Sequence, residues 1–222
     1  MREIEKTRKT VFKLRSFFIF KRSYKLFKMD ITKKGQILLF PPPQLTEYFV
    51  LLSPSEEIKK ETTKLKKKLY KMIGRETENS KSVAHISLFK TKWEQDKHVL
   101  ERVKKSISDQ KEFSVSINGT DIYDHGTKAK TLYLKVENPK PIQSLYEAFK
   151  EEFKIKNSFN PHLTIEQNIP ILDFEKIQDN LDVFNYKSEW ICDKVTILKK
   201  KENGGYKVVD EILFEKQETT AS

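Results

Sequence analysis

A single cysteine, Cys192, stands among the 222 residues of this chain, and there are only six glycines. One cysteine excludes an internal disulfide framework and any zinc site built from several cysteines. It is also typical of a reducing compartment, so we expect a cytoplasmic protein. The glycine-rich dinucleotide-binding fingerprint is missing, so alternating strands and helices need not form a doubly wound parallel sheet here.

Long hydrophobic runs are missing as well. The longest, such as residues 17–20, 37–40 and 48–52, are far too short to cross a bilayer. Basic residues flank the apolar part of the N-terminal segment on both sides and no small-residue cleavage site follows it, which argues against a secretory signal. We therefore expect no membrane-spanning segment.

Positive charge is concentrated at the N-terminus. The net charge is +11, but residues 1–28 hold ten Lys or Arg and two Glu, a balance of +8. The remaining 33 basic and 30 acidic residues give a balance of only +3. The basicity therefore belongs to the N-terminal segment and does not by itself indicate that the folded part binds nucleic acid.

Residues 1–43 are interpreted as a basic leader that ends in three prolines. We expect this leader to be poorly ordered, or to be an extension upstream of a natural start at Met29. The alternative is a basic aromatic segment that touches RNA or an anionic membrane surface. Residues 44–216 are predicted to form one domain, followed by a short tail over residues 217–222.

Within that domain the order strand, helix, strand, helix, strand occurs twice. Lobe one is predicted over about 48–118 and lobe two over about 131–214, with the last strands able to pair across the lobes. Repeated units tend to pack about a pseudo-two-fold axis. We therefore expect corresponding elements of the two lobes to face each other across a groove.

Local signals mark the ends of several elements. Ser53 is the expected N-cap of the first helix, and Gly74 is expected to end it. Residues 186–198 and 207–214 are predicted as the final strands, joined in a hairpin across the turn at 203–205.

The third element of each lobe carries the same polar pattern, a histidine followed two residues later by a hydroxyl. Because side chains alternate along a strand, the histidine and the hydroxyl share one face and the apolar neighbours share the other. The pairs are His85 with Ser87 and His162 with Thr164. The apolar faces belong in the core, so the polar faces point into the expected groove.

Two imidazoles and two hydroxyls in one groove suit in-line attack at phosphorus. Histidine titrates near neutral pH, so one of His85 and His162 can act as general base and the other as general acid. Ser87 and Thr164 are neutral donors that can hold non-bridging phosphate oxygens. The sequence shows no cluster of Asp, Glu and His at ligand spacing, so neither a metal nor another cofactor is expected.

At these residues the chain resembles the two-histidine phosphoesterase superfamily, which contains the 2′-5′ RNA ligase-like proteins and cyclic nucleotide phosphodiesterases. The resemblance extends over roughly 48–214 and rests on four segments: His85-Ile86-Ser87-Leu88, His162-Leu163-Thr164-Ile165, Phe159-Asn160-Pro161-His162 and Thr131-Leu132-Tyr133-Leu134-Lys135-Val136. It implies a bilobed, LigT-like α+β fold. In that fold two mainly antiparallel sheets face a central cleft and the helices lie outside.

The resemblance also implies a class of reaction. Members of the family cleave 2′,3′-cyclic phosphates, 2′-5′ linkages or ADP-ribose cyclic phosphates, and the sequence does not select among these substrates. We expect a hydrolase rather than a ligase, a nucleotide or RNA end as substrate, and a monomer. The alternative hypothesis is an RNA-binding or nucleotide-binding module that keeps the groove but turns nothing over.

Four further residues are assigned from the alternation of side chains. Phe89 continues the face of the first motif and Tyr133 lies on the strand that opens the second lobe, so either could stack on a base, although burial in the core is an equal alternative. Lys90 could reach a phosphate. Glu166 is predicted to share the polar face of the second motif, which argues against a highly anionic substrate.

Overall fold

The computed structural model describes residues 30–31, 37–38 and 43–217. The chain divides into two units, Met1–Pro43 and Gln44–Ser222. In the first unit, β1 (Asp30–Ile31) and β2 (Ile37–Leu38) form an antiparallel pair. The predictions for the rest of the leader, for a start at Met29 and for the end of the tail lie outside the described residues.

The described part of the second unit contains two four-stranded antiparallel sheets. In chain order the strands are β3 (Thr46–Leu52), β4 (Ile86–Trp93), β5 (Phe113–Asp124), β6 (Ala129–Val136), β7 (His162–Pro170), β8 (Lys187–Cys192), β9 (Lys194–Lys200) and β10 (Tyr206–Leu213). The first sheet has the order β10-β9-β3-β4 and the second the order β7-β6-β5-β8. The predicted α+β fold, with two antiparallel sheets facing a cleft and helices outside, is confirmed.

Helices cover the outer faces of the sheets. They are α1 (Glu56–Ile73), α2 (Asp96–Ser106), α3 (Lys140–Phe153) and α4 (Ile171–Phe174), with 3₁₀ helices at Glu78–Lys81 and Gln178–Phe184. Their apolar stripes pack with the inward strand residues into one core, in which Tyr48, Leu134 and Phe149 are fully buried. Among the described residues, no helix is both long enough and apolar enough to span a membrane.

The N-cap of helix α1 lies two residues later than predicted. Ser55, not Ser53, is the N-cap, because its backbone is still extended (φ −57°, ψ 156°) and its hydroxyl accepts the Ile58 amide. Glu56 and Glu57 then occupy the first turn, where carboxylates favour the positive end of the helix dipole. Gly74 ends the helix as predicted, in a left-handed conformation with φ +81°.

The final strands differ from the prediction in one respect. Residues 186–198 do not form a single strand, because the chain breaks at Asp193 and passes from the second sheet to the first. Strand β8 therefore pairs with β5, whereas β9 pairs with β3. The β9–β10 hairpin across 203–205 is confirmed.

The sheet orders place the two motif strands at neighbouring edges. β4 is the last strand of the first sheet and β7 is the first strand of the second. The two strands contact each other, and α1 also contacts β7. The two motifs, far apart in sequence, therefore belong to strands that contact each other.

Candidate active site

The imidazole of His85 lies immediately before β4 and is fixed on two sides. Its Nδ1 donates a hydrogen bond to the carbonyl oxygen of Val83 (2.7 Å). The Phe49 ring meets it edge-on, with 5.2 Å between the ring centroids. These contacts determine both the tilt of the ring and the nitrogen that carries the proton.

The imidazole of His162, the first residue of β7, is held in the same way. Its Nδ1 donates to the carbonyl oxygen of Asn160 (2.9 Å), again two residues earlier. Tyr123 and Tyr133 pack edge-on against the ring at centroid distances of 4.9 and 5.1 Å. The Asn160 side chain donates to the Tyr123 hydroxyl (2.7 Å), which ties this cage together.

The two rings thus have equivalent chemistry. A carbonyl oxygen can only accept, so Nδ1 carries the proton in each neutral imidazole. The lone pair then lies on Nε2, which is the basic position of each ring. Such a pair can exchange protons with a reacting group while the backbone holds each ring in place.

The environment lowers the pKa of both histidines below the ordinary value. Burial is the largest cause in each case, and the hydrogen bond to the backbone carbonyl partly opposes it. Positive charge on Lys66, His162 and Lys90 lowers the pKa of His85 further. More positive charge therefore acts on the ring of His85 than on that of His162.

A β-bulge follows the hydroxyl of the first motif. Leu51 lies opposite Ser87 and Val50 opposite Phe89, so Leu88 is an extra residue on β4. The bulge reverses the alternation, and the ring of Phe89 is buried, 7% exposed, against α3. Phe89 is therefore not brought together with the two histidines, because the bulge turns it away from their face.

Lys90 takes the cleft-facing position that the pattern gave to Phe89. It lies opposite Phe49, the residue that packs against His85. Its Nζ is 5.1 Å from the Phe49 ring centroid and 5.5 Å from that of Tyr206. The structure therefore brings Lys90 to the same face as Ser87, whose side chain is exposed.

A second bulge follows the hydroxyl of the second motif. Tyr133 lies opposite Thr164 and Leu132 opposite Glu166, so Ile165 is the extra residue. Glu166 is consequently turned away from the face of His162 and is only 1% exposed. The prediction that Glu166 shares the polar face of the motif is wrong, and its charge does not argue against an anionic substrate.

Glu166 instead belongs to a buried polar cluster between α1 and β7. Its carboxylate accepts hydrogen bonds from the Tyr70 hydroxyl (2.6 Å) and from Asn79 Nδ2 (3.0 Å). Lys66 Nζ donates to the carbonyl oxygens of Asn79 (3.1 Å) and Ser82 (2.7 Å). This cluster, defined as Lys66, Tyr70, Asn79 and Glu166, holds the segment before His85 against the strand of His162.

Two residues of the site were missed by sequence reasoning. Phe49 could have been found, because Tyr48 and Val50 are core residues and the residue between them must face the cleft. Tyr123 gave no signal, since it lies near the end of the twelve-residue strand β5. Within the described part of the chain, no group of three His, Cys, Asp or Glu is placed to hold a metal ion.

Comparison with known proteins identifies the family. The sequence model of the 2′-5′ RNA ligase superfamily matches residues 54–204, which include both motifs. The chain belongs to this superfamily of two-histidine phosphoesterases. The match excludes β3 and β10, although both strands contribute to the first sheet of this two-histidine phosphoesterase.

Individual relatives agree with this assignment. The chain is 25% identical over 185 residues to the RNA 2′,3′-cyclic phosphodiesterase of Thermotoga maritima, covering 75% of this chain and 95% of the relative. Escherichia coli LigT in complex with 3′-AMP superposes with a TM-score of 0.57 at 11% identity, over 77% of this chain and 98% of LigT. The protein TT0787 of Thermus thermophilus gives 0.55 at 15% identity, over 77% and 99%. The two structural likenesses show a shared fold.

Proposed function

We propose that this two-histidine phosphoesterase hydrolyses a 2′,3′-cyclic phosphate, on a nucleotide or at an RNA end, without a metal. The observation that carries the proposal is the matched pair of imidazoles. Each donates through Nδ1 to a backbone carbonyl, which leaves Nε2 as its basic position. The name of the Thermotoga maritima relative and the 3′-AMP complex of LigT support the choice of substrate.

The proposed reaction is one in-line displacement. Nε2 of one histidine removes a proton from water as the water oxygen bonds to phosphorus. The bond between phosphorus and one ribose oxygen breaks, and the other histidine, which enters the reaction as an imidazolium protonated on both ring nitrogens, donates its Nε2 proton to that oxygen. One water is consumed and a phosphate monoester is formed, after which proton exchange with solvent restores the two rings.

We assign the base to His85 and the acid to His162. The positive charges of Lys66 and Lys90 disfavour the imidazolium form of His85. His85 is therefore the ring that we expect to start in the neutral form and accept a proton. Burial is the main cause that lowers the pKa of His162. The positive charge that acts on His85 therefore supports the division of roles.

The proposal is tested by hydrolysis in excess EDTA. The substrates are 2′,3′-cyclic nucleotides, short 2′-5′ oligonucleotides and ADP-ribose cyclic phosphate. Turnover of the cyclic nucleotides that persists in EDTA supports the proposal. Turnover of only the 2′-5′ oligonucleotides or only ADP-ribose cyclic phosphate would contradict the proposed substrate and identify another. Saturable binding without turnover across the panel would favour a nucleotide-binding module instead.

Removal of either motif hydroxyl is expected to impair catalysis while leaving the fold intact. Ser87→Ala and Thr164→Ala should each lower kcat by about 10²-fold, because a donor to the phosphoryl oxygens is lost. Ser87→Thr and Thr164→Ser keep the hydroxyl and should retain most activity. Equal losses in the alanine and hydroxyl-retaining variants would contradict a donor role.

The pH profile of kcat/KM is expected to respond to Lys90. A base acts only when deprotonated, so activity is lost as pH falls through the pKa of His85. Lys90→Gln removes a positive charge, which raises this pKa and moves the acidic limb to higher pH by a few tenths of a unit. Lys92→Gln, two residues along β4, is the control, and movement of the alkaline limb instead would reverse the assigned roles.

A further inference from the structure

A row of side chains leads away from His162 across the second sheet. His162 on β7 lies opposite Lys135 on β6, and Lys187 on β8 lies opposite Asn118 on β5. Directly paired residues of antiparallel strands project from the same face. Lys135 therefore shares the face of His162 and lies on the adjacent strand, ~4.8 Å away between strand axes. Lys187 lies three strands away from His162 on the same sheet.

The two lysines line one pocket. The pocket has a volume of about 380 Å³ and is formed by seven residues: Asn118, Gly119, Thr120, Lys135, Asn185, Tyr186 and Lys187. Among these seven, two are lysines and none is acidic, and both lysines are exposed. Glu137 beside the pocket accepts a hydrogen bond from Asn118 Nδ2 (2.9 Å), and its single negative charge is outnumbered by the two lysines.

The floor of the pocket is built by a third bulge. Asn118 and Gly119 together lie opposite Lys135, since Ile117 pairs with Val136 and Thr120 with Leu134. Gly119 has φ +75°, a conformation that other residues rarely adopt, and its amide donates to the Tyr186 carbonyl (3.0 Å). On the opposite wall, Asn185 Oδ1 accepts hydrogen bonds from the amide and the hydroxyl of Thr120. These bonds connect the segment before β8 to β5.

We propose that this pocket binds the phosphodiester on the 5′ side of the reacting cyclic phosphate. The inference rests on the proposed function and narrows its substrate to the end of an RNA chain. Lysine ammonium groups bind phosphate as compact charges, without reading the base. A chain whose terminal phosphate lies between the histidines then continues over Lys135 towards Lys187, and a cyclic mononucleotide leaves this pocket unused.

The test compares three substrates that end in the same nucleotide. They are adenosine 2′,3′-cyclic phosphate, the ApA dinucleotide ending in that group, and the same dinucleotide with a neutral methylphosphonate linkage. The wild type is expected to favour the phosphodiester dinucleotide about tenfold in kcat/KM, as one charge-assisted contact would give, and to lose this preference with methylphosphonate. The preference should also fall with added salt.

Lys135→Gln and Lys187→Gln should each reduce the preference, and Lys67→Gln on the exposed side of α1 should not. Equal rates on the charged and neutral dinucleotides would contradict phosphodiester binding in the pocket but would leave the proposed function standing. An unchanged preference in both lysine variants would do the same. Hydrolysis of none of the three substrates would overturn the proposed function and the pocket together.

Discussion

Replacement of either motif histidine by alanine is expected to lower kcat/KM by about 10³-fold, the loss typical of a general acid or base. In the proposed mechanism, His85→Ala removes the group that accepts the proton of water, and His162→Ala removes the group that protonates the leaving oxygen. Hydrolysis of a 2′,3′-cyclic nucleotide by purified variants measures the effect. The double variant should lose little more than either single variant, because residues that act as a unit are not additive.

The matched control is His98→Ala. His98 is exposed on α2, and its ring lies 6.4 Å from that of Trp93, away from both motifs. This variant should keep wild-type activity, and circular dichroism should give the same spectrum for all four variants. A loss confined to one of the two motif histidines would show that the other is not part of the chemistry.

Glu166→Ala is expected to cost about 3 kcal/mol of the free energy of unfolding, because it breaks a buried charged cluster. The substitution leaves the Tyr70 hydroxyl and the Asn79 amide without their carboxylate acceptor. It also removes the negative charge that stabilises the buried ammonium of Lys66. Thermal unfolding should show a melting temperature lower by roughly 6–12 °C for a domain of this size.

Four variants separate this cluster from ordinary surface effects. Glu151→Ala, at an exposed position of α3, should change the melting temperature little. Lys66→Met should be destabilising, and combining it with Glu166→Gln should cost less than the two changes separately, since the charges compensate each other. Strictly additive losses in the free energy of unfolding would contradict a stabilising interaction between Lys66 and Glu166. A Glu166→Ala variant as stable as Glu151→Ala would contradict a stabilising role for the cluster.

The sequence was sufficient to predict the motif pairs, because strand alternation is a local property. The spacing of two residues alone places His85 on the same strand face as Ser87, and His162 on the same strand face as Thr164. The glycine end of α1 and the β9–β10 hairpin were predictable for the same reason, since a turn residue acts on its own neighbours.

Register could not be predicted. Each motif strand gains one extra residue directly after its hydroxyl, Leu88 in one and Ile165 in the other. A one-residue shift moves every later side chain to the opposite face, which explains the errors at Phe89 and Glu166. Both extra residues are apolar and continue the alternation begun by Ile86 and Leu163, so only the pairing with β3 and β6 reveals them.

The buried cluster could not be predicted for a different reason. Lys66 and Glu166 are one hundred positions apart, and lysines on an amphipathic helix are usually solvated. Only the packing of α1 against β7 shows that Lys66, 4% exposed, is buried among carbonyl oxygens.

The central claim is that two imidazoles act on one phosphorus atom, and nuclear magnetic resonance of the ring nitrogens tests it most directly. Protein labelled with ¹⁵N is titrated with inorganic phosphate while the Nε2 signals of His85 and His162 are followed. Both signals are expected to shift with the same dissociation constant, and those of His98 are expected not to shift. A response from only one of the two rings, or two different dissociation constants, would contradict a shared site.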